Sequence, residues 1–233
     1  MVKNNISTTV KTTIRVKICC ISSVEEAMLA IKYGASALGL VSEMPSGPGV
    51  IDDNIIAEIA SKIPPTIATF LLTSKQKAEE IIDQHSKTRT NTLQLVDNLP
   101  YDELKKLREY LPEVKLVQVI HVIDDQSIEE ATSVSNYVDA LLLDSGNPRL
   151  KVKELGGTGR THNWEISRKI VDEVKVPVFL AGGLNPDNVN DAIEVVQPFG
   201  LDICSGVRAN DHLDERKLRS FIYKVQTYNL GLL

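Results

Sequence analysis

Short runs rich in leucine and β-branched residues alternate along the chain with stretches of helical periodicity. The predicted strands are 15–20 (RVKICC), 37–41 (ALGLV), 67–72 (IATFLL), 92–96 (TLQLV), 115–122 (KLVQVIHV), 138–144 (VDALLLD), 177–181 (PVFLA) and 201–205 (LDICS). They recur about every 27 residues, the length of one strand-plus-helix unit. Ser22 and Ser23 stand three residues before Glu25 and Glu26, two overlapping capping boxes. Val24, Ala27, Met28 and Ile31 then share a helical face that Gly34 can close. After the seventh strand Asn185 is placed to cap and Pro186 to begin a helix, with Val189, Ala192, Ile193 and Val196 on its apolar face. Leu218, Phe221, Ile222 and Val225 repeat that spacing after the eighth strand, whereas the periodicity after the third and fifth is less regular. Eight such units predict an α/β protein with a closed (β/α)8 TIM barrel, one domain over residues 14–233 behind a polar leader at 1–13. An open doubly wound sheet also alternates strand and helix, but eight even units suit closure better.

Composition narrows the partners. The 233 residues are 42% hydrophobic and 24% charged, the balance of an ordinary globular chain. Lys plus Arg number 26 against 31 Asp plus Glu, so at a net charge of −5 no basic field favours nucleic acid or an anionic membrane. Aromatics at 5% are too few for a base-stacking platform. No apolar run approaches the ~18 residues of a membrane span, and the N-terminus lacks a signal-peptide core. Cys19, Cys20 and Cys204 are too few for a disulfide framework and lack the partners of a zinc site. The expectation is a reduced cytoplasmic protein without a metal.

Barrel chemistry sits where the strands end. In the first strand Val16, Ile18 and Cys20 share one face and Lys17 and Cys19 the other. Packing the apolar set on the helices turns Lys17 and Cys19 inward, which puts a thiol at the barrel mouth; a free cysteine is also a small hydrophobe. Asp144 closes a run of leucines, and its parity with Ala140 and Leu142 aims it at the same rim, although an Asp before Ser-Gly-Asn-Pro also caps turns. Gly182 and Gly183 after the seventh strand, with Ser205 and Gly206 after the eighth, offer close backbone approach and free N–H groups to a phosphate. The segment after the sixth strand separates Asp144 from Ala181 by 37 residues and carries Gly156-Gly157-Thr158-Gly159-Arg160-Thr161. Its spacing is neither a P-loop nor a dinucleotide fingerprint; it reads either as a mobile glycine-rich lid or as a long surface loop. With Gln118 pointing inward, His121 turns toward the helices, and His162 caps a helix or belongs to the lid.

KICCIS (17–22), LLLDS (141–145), GGTGRTHNW (156–164), AGGLNPDNV (181–189) and DICSGV (202–207), in that order, resemble the phosphoribosylanthranilate isomerase family from about Lys17 to Phe221. The resemblance implies an Amadori rearrangement of tryptophan biosynthesis, N-(5′-phosphoribosyl)anthranilate becoming 1-(2-carboxyphenylamino)-1-deoxyribulose 5-phosphate. No metal or organic cofactor is implied, since proton transfers carry the reaction. The partner implied is a small phosphorylated sugar, bound by a monomer or homodimer. Cys19 would be the general base and Asp144 the general acid. Gly157, Gly182, Gly183, Ser205 and Gly206 would hold the phosphate, and Lys17, Arg160 and Arg208 would contact substrate. An acidic Asp needs a raised pKa and a basic Cys a stabilised thiolate, for which Lys17 is a source of charge. The chain departs from the family where the loop after the second strand (42–49) lacks an arginine assigned to the anthranilate carboxylate. Gln94-Leu95-Val96-Asp97 replaces Q-L-H-G, Cys20 replaces a glycine, Arg160 a lysine and Arg208 a glutamate. On that account Arg208 is expected to bind an acidic group from across the mouth. The alternatives are a paralogue acting on a different phosphorylated aminosugar and a non-catalytic phosphosugar-binding protein; the joint presence of Cys19 and Asp144 argues against the latter.

Overall fold

The computed structural model describes residues 13–232. Eight parallel strands close into a barrel in chain order: β1 (Arg15–Ile18), β2 (Ala37–Val41), β3 (Ala68–Thr73), β4 (Thr92–Leu95), β5 (Lys115–His121), β6 (Ala140–Asp144), β7 (Val178–Leu180) and β8 (Gly200–Ile203). Closure is made by β1 and β8, which pair with Lys17 opposite Asp202. Around them run α1 (Val24–Tyr33), α2 (Asp53–Lys62), α3 (Ala78–Thr88), α4 (Tyr101–Tyr110), α5 (Gln126–Val134), α6 (Trp164–Glu173), α7 (Val189–Val196) and α8 (Glu215–Asn229). A 3-10 turn (Ser205–Val207) and a small hairpin, β9 (Arg208–Ala209) and β10 (His212–Leu213), lie between β8 and α8. The (β/α)8 barrel is therefore the fold. Residues 1–12 of the expected leader lie outside the described residues. Ile14 is already pinned, its N–H donating to Asn229 Oδ1 at 2.8 Å and its carbonyl accepting from Asn229 Nδ2 at 3.1 Å.

Parity sorts the barrel's apolar residues into two layers. Ile18, Leu38, Leu71, Leu93, Ile120 and Leu143 face outward onto the helices, where Ala27, Ile81, Ile193 and Phe221 meet them. Val117, Leu142, Phe70 and Phe179 fill the interior. Phe179 stands edge-on to Phe70 and Phe199, at 5.9 Å and 5.4 Å between centroids. Gly200 is required there, because a Cβ would stand 2.7 Å from the Phe179 ring. Among the described residues no helix is long and apolar enough to cross a membrane.

Four local expectations fail for identifiable reasons. Met28 is 46% exposed, because α1 is turned so that Ala27 and Ala30 face the core. Asn185 and Pro186 belong to a turn, the Asn185 side chain accepting from Asp187 N–H at 2.8 Å, and α7 starts after Asn188. Cys20 is not on the helix side: β1 ends at Ile18, and at φ +61° Cys20 turns its sulfur to the barrel mouth. In β5 the inward residues are Val117, Val119 and His121; Gln118 points outward, its amide donating to the carbonyls of Leu95, Asp97 and Val119. His121, paired with Asp144 across β5 and β6, accordingly sits at the rim.

Candidate active site

The inward face of β1 delivers Lys17 and then Cys19, as strand alternation requires. Lys17 is wholly buried, with its ammonium 2.8 Å from Asp202 Oδ1 and 5.2 Å from the Phe70 ring centroid. Gly39 of β2 makes the room, since a Cβ there would stand 2.7 Å from Cys19 Sγ and 2.9 Å from Lys17 Nζ. Burial pushes the ammonium down, but the charges of Asp202 and the Cys19 sulfur and the hydrogen bond to Asp202 outweigh it and hold Lys17 above its ordinary range. The Cys19 thiol is held below the usual cysteine value, foremost by the influence of the neighbouring Cys20 thiol. Burial opposes that shift, and the Lys17 charge favours it.

Asp144 ends β6 at the same rim. Burial pushes its carboxyl above the ordinary range; the Ser145 N–H at 2.7 Å and His121 pull the other way, and the nearby Asp202 adds to the rise. An acid biased toward keeping its proton and a thiol biased toward losing one therefore line one cavity. Two groups poised for opposite proton transfers are what an isomerisation by general acid and base requires.

That cavity is an open cleft of about 690 Å³ at the C-terminal end of the strands. Two loops meet over it. Ser46 Oγ, in the loop after β2, donates to the Lys153 carbonyl at 2.6 Å. Pro48 fits against Gly157 (φ +66°), where a Cβ would stand 2.4 Å from its Cδ. Gly156 (φ +139°) lies on the acid itself, leaving 2.8 Å between a Cβ and Asp144 Oδ2. The glycine-rich segment thus closes on the Asp144 side of the cleft, and that proximity leaves room for little more than glycine at 156 and 157.

Of the expected phosphate residues, Gly157, Gly182, Gly183 and Ser205 line the cleft together. Gly206 does not; a Cβ there would stand 2.1 Å from the Leu184 carbonyl, so this glycine lets the loops after β7 and β8 approach each other. The three cations are not among the lining residues. Lys17 lies beneath, paired with Asp202. Arg160 is exposed and paired with Glu154 at 2.5 Å. Arg208 leaves the 3-10 turn toward α1, where it is held by Glu26 Oε2 at 2.9 Å, by the Asp211 carbonyl at 2.8 Å and by the Cys20 carbonyl. Each of the three expected substrate contacts, Lys17, Arg160 and Arg208, is thus paired with an acid in this structure rather than lining the cleft. The cap of α6 is Asn163, whose side chain accepts from Glu165 N–H at 2.9 Å; His162 beside it packs on the helix through Ser167 Oγ at 2.7 Å, and burial holds its ring down at about 4.

Sequence reasoning missed Asp202 and Gln94. An inward lysine on β1 needs a carboxylate on the adjoining strand, and Asp202 is the acid in the apolar run of β8. Gln94 lines the cleft with its Oε1 buried and without a hydrogen-bond partner; parity on β4 was the available signal.

The family model described as N-(5′-phosphoribosyl)anthranilate isomerase matches residues 16–224. An N-(5′-phosphoribosyl)anthranilate isomerase of Methanocella arvoryzae is 37% identical over 213 residues, 91% of this chain and 98% of that relative. A Methanosarcina mazei isomerase is 38% identical over 91% of this chain and 94% of its own. The phosphoribosyl anthranilate isomerase structure from Thermotoga maritima superposes with a TM-score of 0.79 at 29% identity, over 91% of this chain and 98% of that one. A further solved isomerase, holding reduced 1-(o-carboxyphenylamino)-1-deoxyribulose 5-phosphate, superposes at 0.76 with 28% identity over the same shares.

Proposed function

The chain belongs to the N-(5′-phosphoribosyl)anthranilate isomerase family, and on that premise we propose that Cys19 and Asp144 carry the family's rearrangement here. The reaction converts N-(5′-phosphoribosyl)anthranilate to 1-(2-carboxyphenylamino)-1-deoxyribulose 5-phosphate in tryptophan biosynthesis. Asp144 donates its proton to the ribose ring oxygen as the C1–O bond breaks, leaving a Schiff base between C1 and the anthranilate nitrogen. The Cys19 thiolate then takes the C2 proton, and the resulting enol-amine tautomerises to the ketone. Both steps are proton transfers, for which an acid and a base lining one cleft suffice.

The observation that carries this reading is the shared cavity, in which surroundings push the two pKa values in opposite directions. Gly157, Gly182, Gly183 and Ser205 form the wall suited to the phosphate, by backbone N–H donation rather than by a cation. Lys17 acts through the sulfur, supplying the charge that keeps Cys19 ionised, with Asp202 holding it in place.

Loss of the anthranilate fluorescence of N-(5′-phosphoribosyl)anthranilate tests the proposal. The expected result is turnover by the unmodified protein and a fall of about 10²- to 10⁴-fold in kcat for Cys19→Ala and for Asp144→Asn alike. Full activity in either variant would remove that residue from the mechanism.

A further inference from the structure

We propose that Cys20 and Cys204 are a redox-active thiol pair, which a small organic disulfide oxidises to an intrachain bond that silences the neighbouring Cys19. The silencing rests on the reading of Cys19 as the base; the bond itself does not. Cys20 follows β1 and Cys204 follows β8, strands that still hydrogen-bond beyond their ends through Cys19 N–H and the Ile203 carbonyl at 2.8 Å. Their sulfurs stand 2.6 Å apart, and all three cysteines are free thiols.

The geometry holds the pair together. Cys20 keeps the left-handed φ of +61° in a chain position where glycine would adopt it without strain. Arg208 grips its carbonyl, and Gly49 presses on its side chain so closely that a Cβ there would stand 2.5 Å from Cys20 Cβ. The sulfur has little space to swing from Cys204. Both residues line the cleft, and Cys204 is partly exposed beside the exposed Ser205, so a small reagent in the cleft reaches Cys204 first. The neighbouring Cys19 and Cys204 thiols push the Cys20 thiol up, which also assigns first attack to Cys204.

In the first exchange the Cys204 thiolate attacks one sulfur of the disulfide RSSR, forming a mixed disulfide and releasing RS⁻. Cys20 gives its proton to that leaving thiolate and attacks the Cys204 sulfur, expelling the second RS⁻, which takes up a proton from water. Two protein thiols thereby lose two electrons, and RSSR is reduced to two RSH. Once bonded, Cys20 is pinned to β8's end at the position next to Cys19, whose own N–H is already held by the Ile203 carbonyl, so the Cys19 sulfur loses the freedom to close on C2. The bond also rivets the loop after β1 to the turn carrying Ser205.

The test exposes the full-length protein to 2-hydroxyethyl disulfide, then reads thiol count, non-reduced peptide map and isomerase rate. The expected result is loss of two of the three thiols, a Cys20–Cys204 linked peptide and at least a ten-fold fall in rate, all reversed by dithiothreitol. Cys204→Ser should keep its own untreated rate after the same exposure, whereas Cys20→Gly should stop at a mixed disulfide on Cys204 with no intrachain bond. Retention of three thiols, or a mapped bond involving Cys19, would overturn the pair. Formation of the Cys20–Cys204 bond with the rate unchanged would overturn the silencing. Because mapping needs no turnover, an inactive reduced protein would count against the isomerase reading alone.

Discussion

Asp144 holds its proton at the expense of the fold. Burial raises its carboxyl above the ordinary range, so folding favours the protonated form. The stability this group contributes is full below the free carboxyl's pKa of about 3.9 and is lost as pH rises through the raised folded value. At pH 7 the carboxyl therefore weighs against folding, because the unfolded chain gives up its proton more readily than the fold does, whereas an amide of the same shape titrates in neither state. Asp144→Asn is expected to raise the thermal midpoint at pH 7 by about 2–4 °C, the shift of ~1 kcal/mol in a chain this size, while removing activity. The gain should shrink as the pH is lowered toward the carboxyl's ordinary range; a midpoint at pH 7 unchanged or lowered would refute the argument. The inward aim of Cys19 and Asp144 was legible in the sequence because both obey the two-residue period of a strand. Cys20 was not, since its φ of +61° breaks that period, and for Gln118 and His121 alternation leaves the phase open, because β5 is apolar on both faces.

Among the elements, α1 shows how a local signal can be right and still understate its role. The capping box is present, Ser23 Oγ accepting from Glu26 N–H at 3.2 Å and the Glu26 carboxylate accepting from Ser22 N–H at 3.1 Å. The same carboxylate also accepts from Leu213 N–H at 2.8 Å and from Arg208, tying α1 to the β9–β10 hairpin and to the loop after β1. No spacing rule joins Glu26 to residues some 180 positions away; only barrel closure does. Burial opposes ionisation of Glu26, but the bonds from Arg208, Leu213 and Ser22 hold its carboxyl below the usual range. Their stabilisation is complete above the free value of about 4.3 and drains as pH falls through the lower folded one. Glu26→Gln leaves the Arg208 guanidinium, 9% exposed, without its counter-charge, and should cost about 3 kcal/mol at pH 7. Denaturant unfolding checks it: the wild-type advantage should be present at pH 7 and fall away in acid. A midpoint shift below about 0.5 kcal/mol, the range of ordinary surface changes, would show that the junction is not held by charge.

For the molecule as a whole, charge and substrate are in tension. The chain carries −5, and the cleft is lined by Asp144 and Asp202 with no lysine or arginine among its described lining residues. A family substrate bears a phosphate and a carboxylate, as the solved carboxyphenylamino-deoxyribulose phosphate complex makes explicit for its own protein. Long-range steering of such an anion by this surface would be weakly repulsive, and screening relieves repulsion beyond a Debye length of about 10 Å at 0.1 M salt. Capture must then come from short-range dipoles, the N–H groups around Gly182, Gly183 and Ser205, which salt screens far less. It follows that KM for N-(5′-phosphoribosyl)anthranilate should stay within about two-fold, or fall, between 0.02 M and 0.3 M potassium chloride, since attraction by exposed cations is what screening at these lengths would weaken. Steady-state kinetics across that range decide the point. A KM rising several-fold with salt would mean that an exposed lysine or arginine reaches the bound anion, and Lys153, 40% exposed and paired with Asp97 at the edge of the mouth, would be the first to replace.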